Sequence, residues 1–161
     1  KIQPDTWLSV PIQRQKLNTN IIDIKICNDI NWKKKHYKGI YQTYCKTRYF
    51  NQYKYLLDFY LQDWEYLYEL NRYTTKKICK TLHIDTEFYH SEDFDLIGNS
   101  SQRLVQLVKE LGGTHYVSGP KAKNYIDEEL FGDIKLEYMK YKTKNNFMVL
   151  DNIYNNGVDI L

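Results

Sequence analysis

Cysteine is scarce in this chain: three residues, Cys27, Cys45 and Cys79, among 161. They are isolated and odd in number, and none forms a C-x-x-C pair. That excludes a disulfide framework and predicts reduced thiols of a cytoplasmic protein. The four histidines, His36, His83, His90 and His115, include no pair four apart, so no metal site is expected. No apolar run approaches the roughly 18 residues of a membrane span, and no signal peptide is visible. The net charge of +3, from 23 basic and 20 acidic residues, is too mild to point to nucleic acid. Neither G-x-x-x-x-G-K-[ST] nor G-x-S-x-G occurs, so no P-loop and no nucleophile elbow is available. No cofactor motif is identified.

What the chain has in excess is tyrosine, sixteen residues. Tyrosine buries a large ring and keeps a polar tip, which suits half-buried helices and interfaces; a platform for carbohydrate or nucleotide is the functional alternative. Hydrophobic residues at 42% and charged residues at 27% place the chain among globular proteins. Its length allows a single domain over 1–161 with a real core.

Trp7–Ile12 reads as a strand ended by Pro11, and Ile22–Ile26 alternates as a half-buried strand. Asn31 is placed to cap a helix through Tyr44, on which Trp32, His36, Ile40 and Tyr44 share one face. Lys33, Lys34 and Lys38 lie elsewhere, as a solvated face or a cationic rim for a phosphorylated ligand. A second helical stretch covers Phe50–Leu61. A third, from Trp64 to Leu82, carries an aromatic and aliphatic stripe read as core. Glu87–Ser91 reads as a strand. Asn99 with Gln102 makes a capping box for a helix closed by Gly112–Gly113. A short buried strand after Gly112–Gly113 that ends at Ser118, then a loop at Ser118–Gly119–Pro120, a helix through Phe131, a strand over Ile134–Met139 and a last helix from Phe147 complete the chain. Two successive β-α-β crossovers predict a parallel sheet. The expected fold is a single α/β domain, three-layered and Rossmann-like, with a largely parallel sheet and a Tyr-rich helical segment.

Two helix starts attract attention, because helix N-termini and strand ends are where α/β folds hold anions. At the first, Gly98, Ser100 and Ser101 can bring backbone and hydroxyls to a ligand and Arg103 can fork onto a phosphate; an ordinary capped helix explains them too. At the second, Gly119 permits close approach, Ser118 sits at a strand end, and Lys123 and Tyr125 follow. Asp127–Glu128–Glu129 is explained by the helix macrodipole. His36 is the candidate general base, since imidazole titrates near neutral pH; a satisfied core histidine is the alternative.

From Tyr116–Val117–Ser118–Gly119–Pro120, Tyr125–Ile126–Asp127 and Phe131 the chain resembles the WbqC-like protein family. Other segments agree in order: Trp7 to Ile12, Trp32 with Lys34–Lys35–His36, Tyr44 with Tyr49–Phe50, Gly98 with Arg103–Leu104, and Asp151 with Tyr154–Asn155–Asn156–Gly157. Members usually begin with a strand and a His-Gln-Pro-type motif, and carry a longer loop before the last helix. Here nothing before Trp7 matches that start, Gln3–Pro4 included, and the loop is only Lys142–Asn146. A fragment of a longer chain, lacking the family's N-terminal segment, is therefore expected. The resemblance implies a transferase of O-antigen or other surface-polysaccharide synthesis, acylating or aminoacylating an amino sugar carried on a nucleotide. The implied partners are small molecules, a nucleotide sugar or an acyl donor. The alternative is a non-catalytic binding or assembly protein, a homo-oligomer with the Tyr-rich helices as its interface.

Overall fold

The four-residue repeat Trp32, His36, Ile40 and Tyr44 becomes the buried face of α1 (Trp32–Tyr44) in the computed structural model, which describes residues 1–2, 6–140 and 147–158. The Asn31 side chain caps the helix by accepting from the Lys34 amide at 3.4 Å. Two compact units follow from the contacts: one comprises Lys1–Asp85 with Asn145–Leu161, the other Thr86–Lys144.

In the first unit α1 is followed by α2 (Phe50–Tyr53), a 3-10 run over Lys54–Leu61, α3 (Leu67–Thr81) and, from the far end of the chain, α5 (Val149–Asn156). Their core joins Ile40, Tyr44, Phe50, Leu56, Leu57, Leu70, Leu150, Ile153 and Tyr154. Each fully buried aliphatic or aromatic side chain contributes about 1.5–3 kcal/mol by leaving water. Phe50 packs edge-on to Tyr154 at 5.1 Å. The Tyr44 O–H is shared between the Ile2 carbonyl and Asp151 Oδ1, each at 3.1 Å. Burial pushes the Tyr44, Tyr60 and Tyr154 phenols well above their ordinary pKa, so they are neutral packing groups.

In the second unit α4 (Ser100–Glu110) starts with the expected capping box, Asn99 and Gln102 each satisfying the other's backbone N–H. Gly98 has φ +96°, and a Cβ there would lie 2.2 Å from Gln102 Oε1; glycine is what lets the box close. Gly112, at φ +65°, ends the helix as expected. β1 (His115–Ser118) and β2 (Lys135–Tyr138) pair in parallel, His115 opposite Lys135 and Ser118 opposite Tyr138. Tyr116 and Leu136 pack on a cluster of Val105, Val108, Ala122, Ile126, Phe131 and Ile134.

The chain is therefore mixed α/β, with five α-helices and a two-stranded parallel sheet among the described residues. Several expected strands do not form. Trp7–Pro11 has no regular structure, and Ile12 makes one antiparallel bridge to Ile26. Ile21–Asp23 is a 3-10 turn, and the Ile26 amide donates to the Glu65 carbonyl at 2.8 Å. Alternation over five residues is too short to force a ladder once this local turn competes. Glu87–His90 is irregular and runs into a 3-10 turn, so the first crossover has no opening strand. The expected helix after Pro120 divides into two 3-10 turns, Pro120–Asn124 and Glu128–Phe131, because Asp127 is extended at φ −82°, ψ 99°. The three-layer arrangement needs strands beside β1 and β2; among the described residues the pair stands without them. Gln3–Pro4 and the Lys142–Asn146 loop lie outside the described residues.

Tyr44→Phe removes the O–H that links Ile2 to α5 and leaves a buried carbonyl short of a donor. The expected loss is about 1–3 kcal/mol, read as a lower urea midpoint at unchanged slope.

Candidate functional site

His36, the expected general base, is 6% exposed and packed in an aromatic triad. Its ring centroid lies 5.4 Å from Trp32 and 5.9 Å from Tyr60, both edge-on. Burial pushes its pKa below the ordinary imidazole value; a ring N–H to the Ser9 backbone opposes that, and Lys35 adds to it. The imidazole is a neutral core group in this arrangement, with a backbone partner in place of a substrate.

The remaining expected residues all belong to the second unit. Ser101 is 4% exposed, and its Oγ accepts from the Asp127 amide at 3.1 Å. That bond ties the start of α4 to the link between the two 3-10 turns and occupies the hydroxyl. Gly98 serves the capping box. Ser100 and Arg103 are exposed on the first turn of α4. Ser118 is half-buried at the end of β1, its carbonyl held by the Met139 amide at 2.8 Å. Gly119 has φ −69°, and a Cβ added there would meet nothing within 4 Å, so no conformational demand selects glycine at this position. Lys123 and Tyr125 point outward, Tyr125 at 67% exposure. Ser100, Arg103, Lys123 and Tyr125 are thus accessible, while Gly98 and Ser101 are engaged in structure.

The first unit carries the larger feature, a cleft of about 1450 Å³ along α3. Two adjacent rows of the helix line it: Tyr68, Arg72, Lys76 and Lys80, and Glu69, Tyr73, Lys77 and Thr81. Each row repeats every four residues, so each lies along one side of the helix. Facing them are Tyr53, Tyr55, Trp64 and Tyr66. The inner wall is built. The Lys77 ammonium pairs with the Asp58 carboxylate and lies 5.6 Å above the Tyr55 ring and 5.4 Å from that of Tyr73. The Tyr73 O–H donates to Asp58 at 3.2 Å. The Tyr55 and Thr81 hydroxyls meet at 3.0 Å. Such an arrangement offers aromatic faces for ring stacking beside cations for an anion. Among the described residues, no group of three or more His, Cys, Asp and Glu could hold a metal ion, and no helix is long and apolar enough to cross a membrane.

The sequence carries half of the cleft's signal. Leu67, Leu70, Thr74, Ile78 and Leu82 mark the core side of α3. The row Tyr68, Arg72, Lys76, Lys80, displaced by about 160° on the wheel, has the same four-residue period in polar residues and passes for a solvated face. The facing tyrosines come from segments that periodicity alone cannot bring alongside it.

His36 makes a measurable contribution to pH dependence. Its folded pKa is depressed, so the unfolded chain takes up the proton more readily. Stability present at neutral pH is therefore lost as pH falls below about 6.5, and the loss levels off once the folded imidazole also protonates. The urea midpoint is expected to fall between pH 7.5 and 5.5, with a shallower fall in His36→Gln. An equal fall in both proteins assigns the slope to other groups.

Comparison with known proteins adds the relationship. The chain is 31% identical over 137 residues to an uncharacterized protein of Mycobacterium tuberculosis, covering 81% of this chain and 57% of that one. The chain thus spans little more than half the length of this relative. No solved structure matches it. A model of the WbqC-like protein family matches residues 1–161, and the chain belongs to that family.

Proposed function

We propose that this chain is a cytoplasmic transferase of surface-polysaccharide synthesis of the O-antigen type. Its substrate is an amino sugar carried on a nucleotide, and the reaction is acyl or aminoacyl transfer to the sugar amine. The observation that supports this reading is the α3 cleft. Its more exposed tyrosines, Tyr55, Tyr66 and Tyr68, offer ring surface to the base and the sugar, and its row of Arg72, Lys76 and Lys80 offers charge to the phosphates. A ligand with rings at two places and anionic charge between them fits that lining better than a purely apolar or purely anionic one does. The accessible Arg103 on the second unit is a further place where a phosphate could be held.

A thermal-shift panel of nucleotide sugars tests the reading. A member bound at a hundredfold excess over its Kd adds about 2.7 kcal/mol to stability and raises Tm by several degrees. No shift from any member, together with a robust oligomer by sedimentation, overturns the transferase reading in favour of an assembly protein whose tyrosine-rich helices form its interface. Arg103 is tested as a separate contact on the second unit: if it holds a phosphate there, Arg103→Ala weakens that binding by about 1.5–3 kcal/mol through loss of a charge-assisted contact, and unchanged binding removes Arg103 as a phosphate contact.

A further inference from the structure

The charges of the α3 cleft are sorted by sign along its length. Its carboxylates come from Asp23, Asp63 and Glu69, and all three lie at the N-terminal end of α3. Asp23 closes a 3-10 turn whose next residue, Ile24, accepts from the Leu67 amide at 2.9 Å, and Leu67 is the first residue of α3. Asp63 precedes the helix by one turn's worth of chain, and Glu69 lies in its first turn. The cations, Arg72, Lys76, Lys77 and Lys80, begin one turn later and continue to the last. The helix macrodipole favours Glu69 and Lys80 where they stand. It does not account for Asp23 and Asp63, which other segments bring to the same end.

Two of these charges are already matched. Asp63 pairs with Lys33 at 2.8 Å, and Lys77 pairs with Asp58. Asp23 and Glu69 at the acidic end, and Arg72 and Lys80 at the two limits of the basic stretch, have no ion pair among the described residues. Along the axis Glu69 is about 4.5 Å from Arg72, about 10 Å from Lys76 and about 16 Å from Lys80. With side-chain reach at both ends, the span to Lys76 leaves room for one hexose.

We propose that the cleft is a polar-sorted site for an amino sugar bearing phosphate, bound in one orientation. The phosphates lie on Arg72, Lys76 and Lys80, and the free ammonium of the sugar lies toward Asp23 and Glu69. This rests on the amino-sugar reading above and adds to it the direction of the substrate and the groups that discriminate a free amine from an acylated one. Acylation turns the sugar ammonium into a neutral amide, so at that position the product loses its attraction to the acidic end while keeping its phosphate contacts. The site therefore favours the free amine over its acylated form, which assists release of product.

Calorimetric titration of the full chain with inorganic pyrophosphate, glucosamine 1-phosphate and N-acetylglucosamine 1-phosphate tests the orientation. Arg72→Gln with Lys80→Gln is expected to weaken all three at least tenfold. Asp23→Asn with Glu69→Gln is expected to weaken glucosamine 1-phosphate alone, at least fivefold. All four residues are exposed on the surface, and an unchanged Tm shows that the variants fold. Absence of pyrophosphate binding by the unaltered chain overturns the proposal, as does equal affinity for the amino and N-acetyl sugars. If these titrations behave as expected while no nucleotide sugar shifts Tm, the transferase reading falls and the sorted site stands. If nucleotide sugars shift Tm while the four substitutions change nothing, the sorted site falls and the transferase reading stands.

Discussion

The first unit depends on the burial of one face of α1. Trp32, His36, Ile40 and Tyr44 present a continuous surface that Phe50, Tyr60 and Tyr154 close from three other segments. Large rings meeting edge-on make this core stiff, since each ring can tilt only if its neighbours tilt with it. A rigid wall behind the Lys54–Leu61 run is what allows that run to hold Tyr55 and Asp58 against α3. The cleft inherits its shape from that core, whose Tyr53 and Trp64 also form part of its lining.

Helix α3 carries both roles on opposite sides. Leu70 is buried on one side, and Arg72, Lys76 and Lys80 line the cleft on the other. Lys77 sits at the boundary between them. Its ammonium is neutralised by Asp58 and cushioned by two tyrosine rings, so it contributes to the wall more than to the field. The long-range attraction for an anion then comes from the outer row, where solvent screening is stronger. The charge of the whole chain follows the same division. Lys1–Asp85 with Asn145–Leu161 holds 15 basic and 10 acidic residues, whereas Thr86–Lys144 holds 8 and 10. The mild total of +3 conceals a basic unit and a slightly acidic one.

How much is legible in the sequence depends on how local the deciding interaction is. The α1 face, the Asn99–Gln102 box and the Gly112 stop are set within a few residues of themselves, and all three form as read. β2 is legible because Ile134–Met139 alternates; β1 is legible as a short run between glycine turns, although the burial expected of it is not seen, Val117 being 54% exposed. The strands expected at Ile22–Ile26 and Glu87–Ser91 depend on partners elsewhere in the chain, and a local 3-10 turn prevails at each. The same limit hides the cleft: the four-residue row on α3 is visible in the letters, but the tyrosines that face it arrive from Tyr53–Tyr66. His36 is ambiguous for a related reason. A histidine on an apolar face has the same spacing whether it meets substrate or Tyr60.

The small sheet of the second unit has a kinetic consequence. Two four-residue strands and a cluster of six buried side chains form a modest reservoir of apolar burial. Their ladder amides lack the cover of neighbouring strands among the described residues. Such a segment opens to solvent at a lower free energy than the ring-packed core around Tyr154, as a separate cooperative block. Its backbone amides should therefore exchange hydrogen for deuterium sooner than those of α1, and the start of α4 that carries Arg103 belongs to the part of the protein that breathes first.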